Sequence, residues 1–135
     1  MQPRHVLIAT AFLTLAACML PVPDPVPTGA EDFATYCAVC HGESGKGDGA
    51  LASTLDRRPA DLTQLAARNR GVFPATRAMS HIWGYADGRD GGRVMPTFGP
   101  LLQGELVPYD GGDGILTPTP IRLVQLADYV KGLGG

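Results

Sequence analysis

Residues 37–41 read Cys-Ala-Val-Cys-His, and this run restricts the chain more than any other feature. C-x-x-C-H is the attachment pattern of a covalent c-type haem. Two thiols three residues apart on a helical turn can add to the two vinyl groups along one porphyrin edge, and the adjoining histidine then reaches the iron. Three other uses of the same residues compete. A zinc site needs a fourth ligand, usually from a second paired motif; the chain has no second C-x-x-C, and its other histidines are His5 and His81. A thioredoxin-like redox pair expects a βαβ context, and no convincing alternating strands are found. A disulfide between Cys37 and Cys40 closes too small a loop to contribute much stability. The haem reading is favoured because the histidine and the export signal described next agree with it.

The chain has 135 residues, enough for one domain. An apolar fraction of 44% lies above the disordered range, so 18 glycines and 12 prolines indicate a loop-rich fold. A net charge of −2 argues against a nucleic-acid partner, which calls for a basic stripe. Residues 1–17 read as a signal peptide: Arg4 and His5, then an apolar run from Val6 to Ala17. That run is well short of the ~20 residues a spanning helix needs. Leu15-Ala16-Ala17-Cys18 resembles the bacterial lipobox, predicting that Cys18 carries lipid and anchors the protein to a membrane on the periplasmic side. Met19 leaves open which membrane. Residues 18–28, with proline at every second position from Pro21 to Pro27, predict an extended spacer. The folded domain is then expected over 29–135.

A haem iron with one histidine needs a sixth ligand or keeps an open face. The candidates are Met79, His81 and Met95. Met95 opens the proline- and glycine-bounded loop Met95-Pro96-Thr97-Phe98-Gly99, and a weak thioether donor suits a backbone that already holds it in place. Met79 and His81 fall on a helix expected over Thr76–Trp83 with Thr76 as cap, which favours packing for Met79 and a surface position for His81. His81 stays the rival to Met95, and bis-histidine ligation would give a lower potential.

With these residues in view, the stretch from about Thr28 to Leu133 resembles a class I (monohaem) cytochrome c. The matching segments are Cys37-Ala38-Val39-Cys40-His41-Gly42, Gly45-Lys46-Gly47-Asp48-Gly49, Arg58-Pro59-Ala60-Asp61-Leu62, Met95-Pro96-Thr97-Phe98 and Leu126-Ala127-Asp128-Tyr129-Val130. The resemblance implies a small all-α domain of three to five helices around one haem c. It also implies His41/Met95 ligation and an electron carrier, not an enzyme, that exchanges electrons with redox protein partners. It implies further that the last helix crosses the first and that the Pro59 carbonyl accepts the His41 Nδ1 proton. Gly104–Pro120 is longer than in many members. Two alternatives stay open: a haem subunit of a larger oxidoreductase complex, and a haem enzyme or sensor with an open sixth position served by His81 or Arg93.

Local signals fill in the rest. Thr28-Gly29-Ala30-Glu31 has the form of a capping box, and the helix it starts places Phe33, Tyr36, Cys37 and Cys40 on one face, ending near Gly42. Gly42–Gly49 lacks the strand and the Ser/Thr of a phosphate loop and is read as a tight wrap. Asp61 and Gln64 cap a short helix from Leu62 to about Arg68. The last helix starts near Thr119-Pro120 with Leu123, Leu126, Ala127 and Val130 facing the core. Trp83 and Tyr85 are expected to pack. Asp110–Gly114 is read as a flexible turn, since it lacks the spacing of a calcium loop. Arg57, Arg58, Arg68, Arg70 and Arg77 are solvated surface by default and a docking patch on the sharper reading.

Overall fold

The computed structural model describes residues 25–85 and 95–135. Cys18, the expected signal peptide, most of the expected spacer and Arg93 lie outside the described residues.

Helix α1 (residues 29–41) begins at the capping box expected of it. The Glu31 N–H donates to Thr28 Oγ1 at 3.3 Å, and the Thr28 N–H donates to Glu31 Oε2 at 2.7 Å. Two of the first-turn donors that a helix leaves unpaired are thereby satisfied. After the turn Gly29–Asp32 the helix widens into a π segment, Phe33–Cys37, where the Ala38 N–H reaches back five residues to Phe33 O. It closes with Ala38–His41 and stops at Gly42, whose φ of 79° ends it cheaply. The extra residue in the π turn brings Asp32, Phe33 and Cys37 all to buried positions.

Short 3₁₀ turns follow at Ala52–Thr54, Leu62–Gln64 and Ala67–Asn69. The helix expected from Leu62 is thus two separate turns. Asp61 Oδ1 accepts from the Thr63 N–H at 3.0 Å, and Arg70 at φ 60° ends the second turn. Helix α2 (Ala75–Trp83) starts one residue earlier than expected because Pro74 sets the boundary. Thr76 does not cap it; its hydroxyl donates to Gly111 O at 3.2 Å. A further 3₁₀ turn, Gly99–Leu101, leads out of the Met95 loop.

The all-α expectation holds only in part. The stretch read as a long loop is a hairpin, β1 (Leu106–Asp110) pairing antiparallel with β2 (Leu116–Pro120), Leu106 opposite Pro120 and Pro108 opposite Pro118. Three prolines hid it, because proline usually argues against a strand. The Ile121 N–H donates to Glu105 O at 2.8 Å, which makes that pair a hydrogen-bonded one. In an antiparallel ladder the pairs alternate, so Pro108, Pro118 and Pro120 all fall where the nitrogen faces away from the partner strand. No ladder bond is lost. The Asp110–Gly114 turn is also more tightly held than expected: Asp110 Oδ1 accepts from the N–H groups of Gly112, Asp113 and Gly114 at 2.8, 3.1 and 3.0 Å.

Helix α3 (Ile121–Gly132) closes the fold, and its Leu123, Leu126, Ala127 and Val130 are buried as the spacing predicted. They join Phe33, Cys37, Met79, Ile82 and Leu102 in one core. α3 meets α1 at Gly29, where a Cβ would lie 2.1 Å from Gln125 O. One turn on, the Phe33 and Tyr129 rings pack with centroids 5.2 Å apart.

Two outcomes follow. Gly29→Ala forces the two helices apart and destabilises the domain by about 1–3 kcal/mol, the range for overpacking, read as a lower denaturation midpoint. The amide bonds from Gly112, then Gly114, hold the Asp110 carboxyl below its ordinary value. Its contribution is therefore present above the ordinary carboxylate value of ~3.9 and is lost as pH falls through the lower folded value. Protection of the Gly112–Gly114 amides relative to their intrinsic exchange should fall across that acid window, and Asp110→Asn should abolish that fall.

Candidate haem site

The three residues of the attachment motif occupy the end of α1, and each has a different environment. Cys37 sits in the π segment and is 7% exposed; Cys40, one turn on, is half-buried. Both thiols are free, so the disulfide alternative is not realised. Among the described residues no group of three His, Cys, Asp or Glu side chains gathers as a metal set. Burial pushes the Cys37 thiol up to about 12, with the charges of Asp32 and Cys40 adding to the effect.

His41 is oriented by the chain that follows it. Its Nδ1 lies 2.9 Å from Ala60 O; a carbonyl can only accept, so Nδ1 carries the proton and Nε2 keeps a lone pair for a metal. The acceptor was expected to be Pro59. The Pro59 carbonyl is instead taken up against Gly47, where a Cβ would stand 2.3 Å from its oxygen. The next carbonyl along therefore turns to the imidazole.

The glycine-rich loop does the positioning. Its N–H groups at Gly47, Gly49 and Leu51 donate to the carbonyls of His41, Cys40 and Val39 at 2.7, 3.1 and 2.9 Å. They satisfy the last turn of α1, which a helix otherwise leaves unpaired. Gly49 approaches so closely that a Cβ would lie 2.5 Å from both Ala38 O and Val39 O. The Leu62 N–H donates to Gly45 O at 2.7 Å and Arg58 Nε to Gly47 O at 3.3 Å, tying the loop to the strip that carries Ala60.

Met95 packs, partly buried, against the core cluster that contains Cys37. Its loop is fixed beyond it: the Phe98 N–H donates to Ile82 O at 3.0 Å, the Phe98 ring lies 6.2 Å from that of Tyr36, and Gly99 abuts the Trp83 ring so tightly that a Cβ would stand 2.9 Å from it. Met79 is 8% exposed in the core, whereas His81 is on the exposed side of α2. Trp83 is half-buried as expected; Tyr85 is not packed away but 76% exposed. The five arginines of the suggested patch are all exposed.

One feature escaped the sequence reading. Asp32, 2% exposed, is gripped by Arg122 through Nε at 3.1 Å and through a second, shorter bond from the other guanidinium nitrogen. The third nitrogen, Nη1, donates to Leu101 O at 2.7 Å. The bond to Asp32 raises the Arg122 pKa further above its ordinary value. The available signal was an aspartate beside Phe33 on the inward face of α1, a position that requires a buried cation.

The donor set fits a covalent haem: two free thiols on one helix end, an imidazole with its outer nitrogen already engaged and its inner one bare, and a thioether on a braced loop. Residues 24–107 match the family described as cytochrome C oxidase, cbb3-type, subunit III, and the chain belongs to that family. Its cofactor class is therefore haem c, and its function class is electron transfer. More particularly, it is 34% identical over 107 residues to the cbb3-type cytochrome c oxidase subunit FixP of Azorhizobium caulinodans, across 79% of this chain and 27% of that protein. The chain thus spans about a quarter of that relative's length. No solved structure matches it.

The unequal burial of the two thiols has a direct readout. In the folded, haem-free chain, Cys40 should be alkylated by iodoacetamide at least about tenfold faster than Cys37, since only thiolate reacts. Urea should remove the difference. Peptide mass mapping over time checks both.

Proposed function

We propose that this chain is a membrane-tethered periplasmic c-type cytochrome that passes single electrons between respiratory or dehydrogenase partners. Cys37 and Cys40 hold one haem c by thioether links, His41 and Met95 are its axial ligands, and Cys18 carries the lipid anchor. The observation that carries the reading is the His41–Ala60 bond at 2.9 Å within a C-x-x-C-H run. It commits the imidazole to presenting Nε2 outward, a preparation that a surface histidine does not need. The bound haem supplies a ferrous/ferric couple. This chain's residues supply the rest. Ala60 fixes the imidazole ring and strengthens it as a donor. The core around Cys37 and Met95 excludes water and so favours the less charged reduced form. The braced Met95 loop keeps the thioether in one place in both oxidation states, which keeps reorganisation small.

A second reading, a haem subunit of a larger oxidoreductase complex, is favoured by the family, whose matched relative is an oxidase subunit. Co-purification of further subunits from gently solubilised membranes would decide for it.

Acid–acetone treatment of the denatured full chain should leave the pigment on the polypeptide, and the intact mass should show haem and acyl additions together. Release of the pigment would sink the attachment. Met95→Ala should abolish the weak red band of a methionine–iron bond in the ferric protein and let the reduced form bind carbon monoxide rapidly. Retention of the band in Met95→Ala would pass the role to another methionine, Met79 first, whereas absence of the band from the unchanged ferric protein would pass it to His81.

A further inference from the structure

We propose that Arg122 positions the Met95 loop, acting as a fork that ties the ligand loop to the helix bearing the attachment motif. The proposal rests on the reading of Met95 as an axial ligand. The loop that follows Met95 is anchored at both ends. At its start, the Phe98 N–H is bound to Ile82 O at 3.0 Å on α2 and the Phe98 ring rests near Tyr36 on α1. At its end, Leu101 O accepts from Arg122 Nη1 at 2.7 Å. The same guanidinium takes both oxygens of Asp32, five residues before Cys37 on α1.

One planar group therefore joins three parts of the chain: the helix of the two cysteines and His41, the loop that presents Met95, and the first turn of α3. Its side chain is only 17% exposed and that of Asp32 2%. Solvent therefore screens the fork weakly, and breaking it strands a buried carboxylate. Lysine cannot replace it. An ammonium is a point charge on a flexible stem, able to meet Asp32 but without the rigid fork that meets Asp32 and Leu101 O together. The core contacts of α3 lie on Leu123, Leu126, Ala127 and Val130, not on Arg122, so in Arg122→Lys, which still pairs with Asp32, the helix crossing survives while the loop is released.

The test uses the haem-loaded full chain with Arg122→Lys and Arg122→Gln, Lys being the variant that keeps the charge should Gln fail to fold. In Arg122→Lys, amide exchange at Phe98, Leu101 and Leu102 should quicken by about tenfold or more, the loss of one charge-assisted hydrogen bond, while exchange at Leu126–Val130 stays as in the unchanged chain. Imidazole added to the ferric protein should displace the red band at about tenfold lower concentration. Unaltered loop exchange and unaltered imidazole affinity in folded, haem-loaded Arg122→Lys overturn the proposal. Met95→Ala separates this from failure of the ligand assignment. If Met95→Ala binds imidazole as the unchanged chain does, Met95 is not the ligand and the ligand half of the proposal falls with it. The exchange rates then decide whether Arg122 holds the loop.

Discussion

The close crossing of α1 and α3 at Gly29 is the constraint on which the rest depends. With Gln125 O occupying the space of a side chain at Gly29, the two helices approach to backbone distance. That brings the Phe33 ring against Tyr129 and buries Leu126 and Ala127. Only at this separation can Arg122, on the first turn of α3, reach the carboxylate of Asp32 on α1. The apolar contacts supply most of the association, since burial scales with area and needs no particular orientation. The ion pair contributes direction. A carboxylate with 2% exposure tolerates one arrangement of its partner, so the crossing has one register.

The site inherits that register. Cys37 belongs to the same core as Leu123 and Leu126, and Met95 leans on it from the loop side. The glycine-rich segment satisfies the last carbonyls of α1, turns twice through positive φ at Gly45 and Gly47, and delivers Ala60 O to His41. Each step uses backbone groups that would otherwise be unpaired. The attachment motif is thus held by its own helix end, and the orientation of its imidazole follows from how that end is capped.

How much of this was legible in the sequence follows from the range of each interaction. The capping box, the end of α1 at Gly42, the tight glycine loop and the inward face of α3 are local and were all readable from spacing. The identity of the carbonyl on His41 was not. Pro59 and Ala60 are adjacent, and which one turns inward is decided by Gly47, a dozen residues earlier. Arg122 and Asp32 stand 90 positions apart, and nothing local marks their pairing; only the inward placement of Asp32 hinted that a cation had to be found. The π segment was invisible because its 33/37 spacing reads as an ordinary helical face.

The hairpin shows how a long segment can be added to such a core at small cost. The chain leaves the core at Leu102, fully buried, and returns to it at Leu123. Between these points Tyr109 packs against the core and Thr119 is buried, and the Ile121 N–H bond to Glu105 O brings the exit and entry strands side by side, so the hairpin occupies a closed neck. Extra loop length costs little once the ends are joined, since closure entropy grows only with the logarithm of length. Prolines at 108, 118 and 120 then lower the cost further by restricting the unfolded chain without removing a ladder bond. The tip is not idle: Thr76 on α2 meets Gly111 O. The hairpin thereby braces the helix whose Ile82 carbonyl anchors Phe98. The bracing of Met95 extends, through one side-chain and one backbone hydrogen bond and one helix, to a segment that looked like a loop.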